Sequence, residues 1–168
     1  MRIKLTHNKP AGSKRCEDRY ALVDAEDYRK LSEYDWQDVE NKSGNHYAAR
    51  IECGRIVYMH RQIMNASKGS IIDHKDRNGL NNTKSKLRLA TSAQNTRNCR
   101  KTTKLTSSKY KGVTLSKRAK KWQANICYNG IHKNLGLFEN EEDAAKAYDA
   151  AAQIYHKEFA VLNFPNDS

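Results

Sequence analysis

The chain has 168 residues, enough for two small domains but not for one large core. Its 31 Lys and Arg against 19 Asp and Glu give a formal charge of +12, which makes nucleic acid a natural partner. No apolar run approaches the roughly 18 residues of a membrane span, and the opening Met-Arg-Ile-Lys-Leu-Thr-His lacks the apolar core of a secretion signal. Cys16, Cys53, Cys99 and Cys127 form no Cys-x-x-Cys pair, so the pattern argues against a zinc ribbon and for reduced thiols in a cytoplasmic protein.

In chain order, Tyr20-Ala-Leu-Val predicts a strand and Ala25 to Leu31 a short helix. Tyr47-Ala-Ala-Arg-Ile and Ile56-Val-Tyr-Met then form a hairpin pair with Gly54 in the turn. Met59-His60-Arg61 follows the second of these. Ile71-Ile72 delivers Asp73-His74 to a strand end, and the loop Lys-Asp76-Arg-Asn78-Gly-Leu-Asn81-Asn82 reverses the chain. Leu87 to Ala90 is the returning strand, and Thr91 is an N-cap that puts Asn95 on the first turn of a helix.

A strand, loop, strand, helix unit of this kind can bring the Asp73 carboxylate and the Asn95 amide oxygen to one divalent cation while His74 faces a water. Hard oxygen ligands suit Mg²⁺ or Mn²⁺ and leave positions for water and a phosphate oxygen. Neutral imidazole takes a proton near pH 7. The chemistry is metal-assisted phosphodiester hydrolysis with His74 as general base. The alternative for a lone Asp-His pair is a turn carboxylate beside a hydrogen-bonded surface histidine.

Together with Met59-His60-Arg61, the Asn-rich loop and Leu87-Arg-Leu-Ala-Thr followed by Gln94-Asn95 and Asn98, the stretch resembles the HNH endonucleases, in particular the intron-encoded homing enzymes of phages and bacteria. The similarity runs from about Tyr20, through Trp36, to about Arg100. It implies a ββα-metal fold, with Asp73 and Asn95 as metal ligands, His74 as base, and His60 and Arg61 beside the metal. There Arg61 holds a phosphate by a forked contact; the alternative is that His60 packs structurally and Arg61 pairs with a carboxylate. Where the family has an asparagine before Leu-Arg to tie the loop, this chain has Lys86, which offers donors and no acceptor. Either Asn78, Asn81 or Asn82 bridges instead, or the site is weakened, naturally or by design, or Lys86 contacts a phosphate. The family pattern also implies products with 3′-hydroxyl and 5′-phosphate ends.

Between Arg97 and Lys121 there are ten Lys or Arg and no Asp or Glu. This stretch, with Arg97, Arg100, Lys101 and Lys104, reads as a basic linker tracking phosphates. Beyond it, Tyr110-Lys-Gly-Val113 opens a strand and Lys121 to Tyr128 alternates in a second. Asn129-Gly130 is a hairpin turn, Ile131 to Phe138 is a third strand, and Glu139 to His156 has helical spacing behind an acidic first turn.

Tyr-Lys-Gly-Val, Lys-Trp-Gln-Ala-Asn-Ile, Leu135-Gly-Leu-Phe138, Glu-Glu-Asp-Ala-Ala-Lys-Ala-Tyr-Asp-Ala-Ala-Ala and Asn163-Phe-Pro resemble the plant Apetala-two or ethylene-response-factor DNA-binding domain. The resemblance implies three antiparallel strands on one helix, with the sheet in the major groove. If Ala124 and Ile126 face the helix, Gln123, Asn125 and Cys127 face outward, joined by His132 and Asn134. Trp122 shares the inward register. Lys111, Thr114, Lys117, Arg118, Lys120 and Lys121 complete the expected DNA-contacting set; since Arg, Glu or aromatic readers are replaced near several positions, base preference should differ from the plant domains.

The fold class expected is α+β, with a nuclease domain over 1–100, a basic linker over 101–109 and the DNA-binding domain over 110–168. The function expected is a site-preferring, homing-type DNA endonuclease acting on double-stranded DNA with Mg²⁺ or Mn²⁺. One compact site nicks, and a double-strand break needs a dimer or two visits. The competing classes are a DNA-binding regulator with an impaired HNH fold, favoured by Lys86, and an RNA-binding or RNA-cleaving protein, against which the plant-like sheet argues.

Overall fold

The computed structural model describes residues 1–6, 18–99 and 107–165, and divides into two compact units, Met1–Thr91 and Ser92–Ser168. Arg100, Lys101, Lys104 and most of the expected linker lie outside the described residues. The architecture is α+β, made of small antiparallel sheets with short helices. No helix among the described residues is long and apolar enough to cross a membrane.

In the first unit, β1 (Arg2–Lys4) pairs with β2 (Tyr20–Leu22), and α1 (Ala25–Leu31) follows. Strands β3 (Gln37–Glu40), β4 (His46–Glu52) and β5 (Arg55–Tyr58) form an antiparallel meander. Cys53 and Gly54, both at positive φ, make the tight turn between β4 and β5. Strand β5 ends one residue earlier than its apolar run suggests, because Met59 opens the five-residue helix α2 (Met59–Ile63) and is buried completely. Ile3, Leu5, Ala21, Val23, Leu31, Trp36, Ala48 and Met59 form the core of this unit. Each fully buried Leu or Met there contributes about 1.5–3 kcal/mol. The Trp36 indole N–H, which would be costly to bury unpaired, donates to the Leu31 carbonyl at 2.8 Å.

Strands β6 (Ile71–His74) and β7 (Leu87–Ala90) pair in a two-stranded sheet whose register sets Asp73 opposite Arg88 and His74 opposite Leu87. Their connecting loop is clamped to β2: Leu22 N–H donates to the Leu80 carbonyl and Asn82 N–H to the Leu22 carbonyl, each at 2.8 Å. Gly79 lies so flat on β4 that a Cβ would stand 2.3 Å from the His46 carbonyl oxygen. The N-terminal strands therefore brace the loop.

The second unit opens with α3 (Ser92–Asn98), which starts directly after Thr91. Strands β8 (Val113–Ser116), β9 (Lys121–Tyr128) and β10 (Ile131–Phe138) form a sheet in the order β10-β9-β8, packed on α4 (Glu141–His156). The first of these begins at Val113 rather than Tyr110, since Tyr110–Gly112 approach it in a turn. Gly112, at φ +76, lies against Tyr148, whose ring would be 1.9 Å from a Cβ. Small residues bring α4 onto the sheet: Ala144, Ala145 and Ala152 are wholly buried against Val113, Ala124 and Ile126. Trp122 packs into the same core from the inward register.

Candidate functional site

Strand β6 carries Asp73 and His74 side by side, both buried, at 5% and 7% exposure. Arg88, the cross-strand partner of Asp73, holds its Oδ2 through Nε at 2.8 Å and Nη2 at 2.7 Å. This ion pair keeps a carboxylate tolerable in a buried place.

His74 Nε2 lies 3.3 Å from Asn82 Oδ1. Asn82 is wholly buried, and its Nδ2 donates to the Leu80 carbonyl at 3.3 Å, which fixes which end of the amide faces the imidazole. The oxygen therefore accepts, Nε2 carries the ring proton, and Nδ1 carries the lone pair of the neutral form. Burial lowers the His74 pKa below the usual 6.5, against the opposing pull of the Asn82 hydrogen bond and of Asp76 and Asp73. His74 is thus a neutral imidazole with its basic nitrogen defined.

His60, on α2, packs edge-on against His74, with ring centroids 5.1 Å apart, and stacks on Tyr58 at 5.5 Å. Tyr47 on β4 touches both histidines, at 5.9 and 6.0 Å. Burial, then His74 and Arg61, lower the His60 pKa to about 3. Between pH 3 and 6.5 the unfolded chain therefore binds the proton that the folded chain refuses, so stability is full above about 6.5 and is lost as pH falls toward 3. Denaturant melts without added divalent cation should show the midpoint falling below pH 6.5, by up to about 1.4 kcal/mol per pH unit for this group. His60→Phe should flatten that slope; an unchanged slope would remove His60 as its source.

Arg61 does fork, but onto main-chain carbonyls, those of Ser70 at 2.5 Å and Ser67 at 2.8 Å. It fastens the turn that feeds β6. Lys86 ends a 3₁₀ turn with its side chain exposed. The bracing expected of an asparagine at 86 is done by Asn82, with Asn81 Nδ2 bound to Asp76 Oδ2 at 2.6 Å and Lys75 Nζ to the Ser85 carbonyl at 2.9 Å. Lys86→Asn should accordingly leave any cutting rate within about twofold, whereas Asn82→Ala should lower stability by about 1–3 kcal/mol and slow cutting. Melting curves and cutting assays of the two variants check this, and a faster Lys86→Asn protein would show the loop to be under-braced.

Asn95 is on α3 and so belongs to the second compact unit. In that unit the register lines up one polar face across the sheet: Thr114 beside Gln123, Asn125 beside Asn134, and Cys127 beside His132. A bulge between Asn134 and Gly136 then turns Leu137 outward next to Gln123, at 49% exposure. Simple alternation misses Leu137; Gly136, at φ +128, is the only sign of the bulge in the sequence. Lys117, Arg118 and Lys120 are exposed in the turn before β9, and Lys121 pairs with Glu139 at 2.6 Å. The Lys111 Nζ donates to the carbonyls of Arg97 at 2.7 Å and Cys99 at 2.5 Å. Arg97 stacks over Tyr128 at 5.0 Å.

The one acidic cluster of ligating geometry among the described residues, Asp24, Glu26 and Asp27, is engaged by Lys84 through its N–H and its ammonium. The Asp73 side chain offers carboxylate oxygen, which fits a hard divalent cation.

No family model matches the chain, and no solved structure matches it. It is 35% identical over 150 residues to an uncharacterized HNH endonuclease of Acanthamoeba polyphaga mimivirus, covering 86% of this chain and 74% of that protein. About a third of the chain is similar to plant proteins. An AP2/ERF and B3 domain-containing transcription factor of Arabidopsis thaliana is 43% identical over 61 residues, and an AP2-like ethylene-responsive transcription factor of the same plant 40% over 58. These matches take in 36% and 34% of this chain but only 17% and 12% of the plant proteins. With the Asp73-His74 strand, the Asn82-braced loop and a homologue matched along most of its length, the chain belongs to the HNH endonuclease family.

Proposed function

We propose that the protein is a metal-dependent, site-preferring DNA endonuclease of the homing type that hydrolyses phosphodiesters with His74 as general base. The observation that supports this is the Asn82 contact: with the ring proton on Nε2, Nδ1 of a buried, neutral imidazole would be the atom to take a proton from water. The lowered pKa keeps His74 in that form through neutral pH, so base function should persist below pH 6.5.

Asp73 and Asn95 would hold one divalent cation, Mg²⁺ or Mn²⁺; the assignment of Asn95 is supported by the sequence resemblance. When bound, the cation supplies Lewis-acid stabilisation of the phosphate charge. Arg88, beside Asp73, orients that carboxylate. His60 and Tyr47 hold the His74 ring by packing.

Double-stranded DNA is the proposed substrate. The polar face of Thr114, Gln123, Asn125, Cys127, His132 and Asn134 would enter a groove, with Asn and Gln able to pair with adenine and the exposed Leu137 able to meet a thymine methyl. Lys117, Arg118, Lys120, Lys121 and the basic linker, with Arg97, Arg100, Lys101 and Lys104, would add sequence-independent attraction to phosphates. The functional division follows: nuclease domain to about residue 100, linker to 109, reader beyond.

The experiment is incubation of the purified protein with supercoiled plasmid and Mg²⁺ or Mn²⁺, with a chelator control. Metal-dependent nicking or linearisation supports the reading. Salt-sensitive binding without cutting would replace it with a DNA-binding regulator.

A further inference from the structure

Helix α3 has seven residues, too few to persist alone in water. Two contacts with the rest of its own unit hold it, one made by the Lys111 ammonium and one by the helix's own Arg97. The Lys111 ammonium caps the carbonyls of Arg97 and Cys99 at the helix C-terminal end, where carbonyls lack intrahelical partners and the helix dipole is negative. Arg97, in the last turn, lies over the Tyr128 ring and donates to Asn129 Oδ1 at 3.1 Å, so the helix is pinned to the β9–β10 hairpin. Lys111 is itself held: its N–H donates to Asn163 Oδ1 at 2.7 Å and its carbonyl accepts from Asn163 Nδ2 at 3.2 Å. Asn163 is anchored by the buried Asp149.

We infer that Lys111 and Arg97 are positioning residues for Asn95, so that the reader sheet fixes the helix that carries the amide ligand. The inference rests on the reading of Asn95 as that ligand. Asn95 stands two residues before Arg97 and four before Cys99, within the turn that the two cations secure. A phosphate contact by Lys111 would affect affinity uniformly; a positioning role affects the bound complex. The small polar reader therefore does more than hold the duplex: it holds the helix that carries the amide oxygen.

The test uses the full chain with Lys111→Met, which keeps the apolar stem, and Lys111→Arg, which keeps the donors. Single-turnover cutting of a labelled duplex at saturating protein is measured across a Mg²⁺ titration. Duplex Kd is measured in chelator, and amide hydrogen exchange is followed over residues 92–99. Lys111→Met should slow cutting of bound DNA about 10- to 100-fold, as misplacement by an ångström does, and raise the Mg²⁺ needed for half-maximal rate. Its Kd should stay within about threefold, because the ammonium is engaged by the Arg97 and Cys99 carbonyls rather than by a phosphate. Exchange over 92–99 should quicken, and Lys111→Arg should recover most of the rate and protection. A weakened Kd with an unchanged rate at saturation would make Lys111 a phosphate contact and overturn the inference, as would unchanged exchange. If the wild-type chain does not cut, the endonuclease reading fails together with the catalytic half of the inference, while exchange still decides whether Lys111 holds the helix.

Discussion

His74→Ala should abolish most cutting, by about 10²- to 10⁴-fold in the single-turnover rate, while duplex affinity in chelator changes by less than about twofold. Both halves follow from the site. The ring is a neutral base whose proton-free nitrogen is set by a buried partner, and it sits at the end of a short strand among Tyr47, His60 and Asn82 rather than on the sheet proposed to meet DNA. Loss of affinity in step with rate would point instead to collapse of the loop. A thermal melt separates the cases, since the variant must stay folded for the rate to mean anything. Cutting at the wild-type rate would remove His74 from the chemistry.

Arg88→Met should be the most destabilising single change at the site, by about 3–5 kcal/mol, because it strips the guanidinium from a carboxylate only 5% exposed. Asp73→Asn combined with Arg88→Met should be less harmful than Arg88→Met alone, since both charges leave together. Urea melts of the two single variants and the double variant measure the coupling. Additive losses would show that the pair carries no net interaction despite its geometry.

Much of this was legible before the structure. Asp73-His74 at the end of a β-branched strand, the Gly54 and Asn129-Gly130 turns, and the inward Ala124 and Ile126 all follow from period-two alternation and turn chemistry. What sequence reasoning missed has a common cause. Strand β1 has three residues and β3 a single aliphatic one, Val39, so neither carries a periodic signal; both form because neighbouring strands supply hydrogen-bond partners. The partners of long side chains are similarly hidden from sequence: Arg61 and Lys111 meet main-chain carbonyls and Arg88 meets the Asp73 carboxylate, contacts that only the tertiary fold brings together. The choice among Asn78, Asn81 and Asn82 was equally closed to sequence, because it depends on which amide the clamp from Leu22 buries.

The stitch between Lys111 and Asn163 joins positions 52 residues apart through both donors and acceptors. A module whose entry and exit are fastened side by side can be spliced into a host chain without pulling its own fold open. That geometry suits the C-terminal sheet and helix to carriage in host chains of different size, and a similar stretch occupies only 12% to 17% of two plant proteins and about a third of this chain.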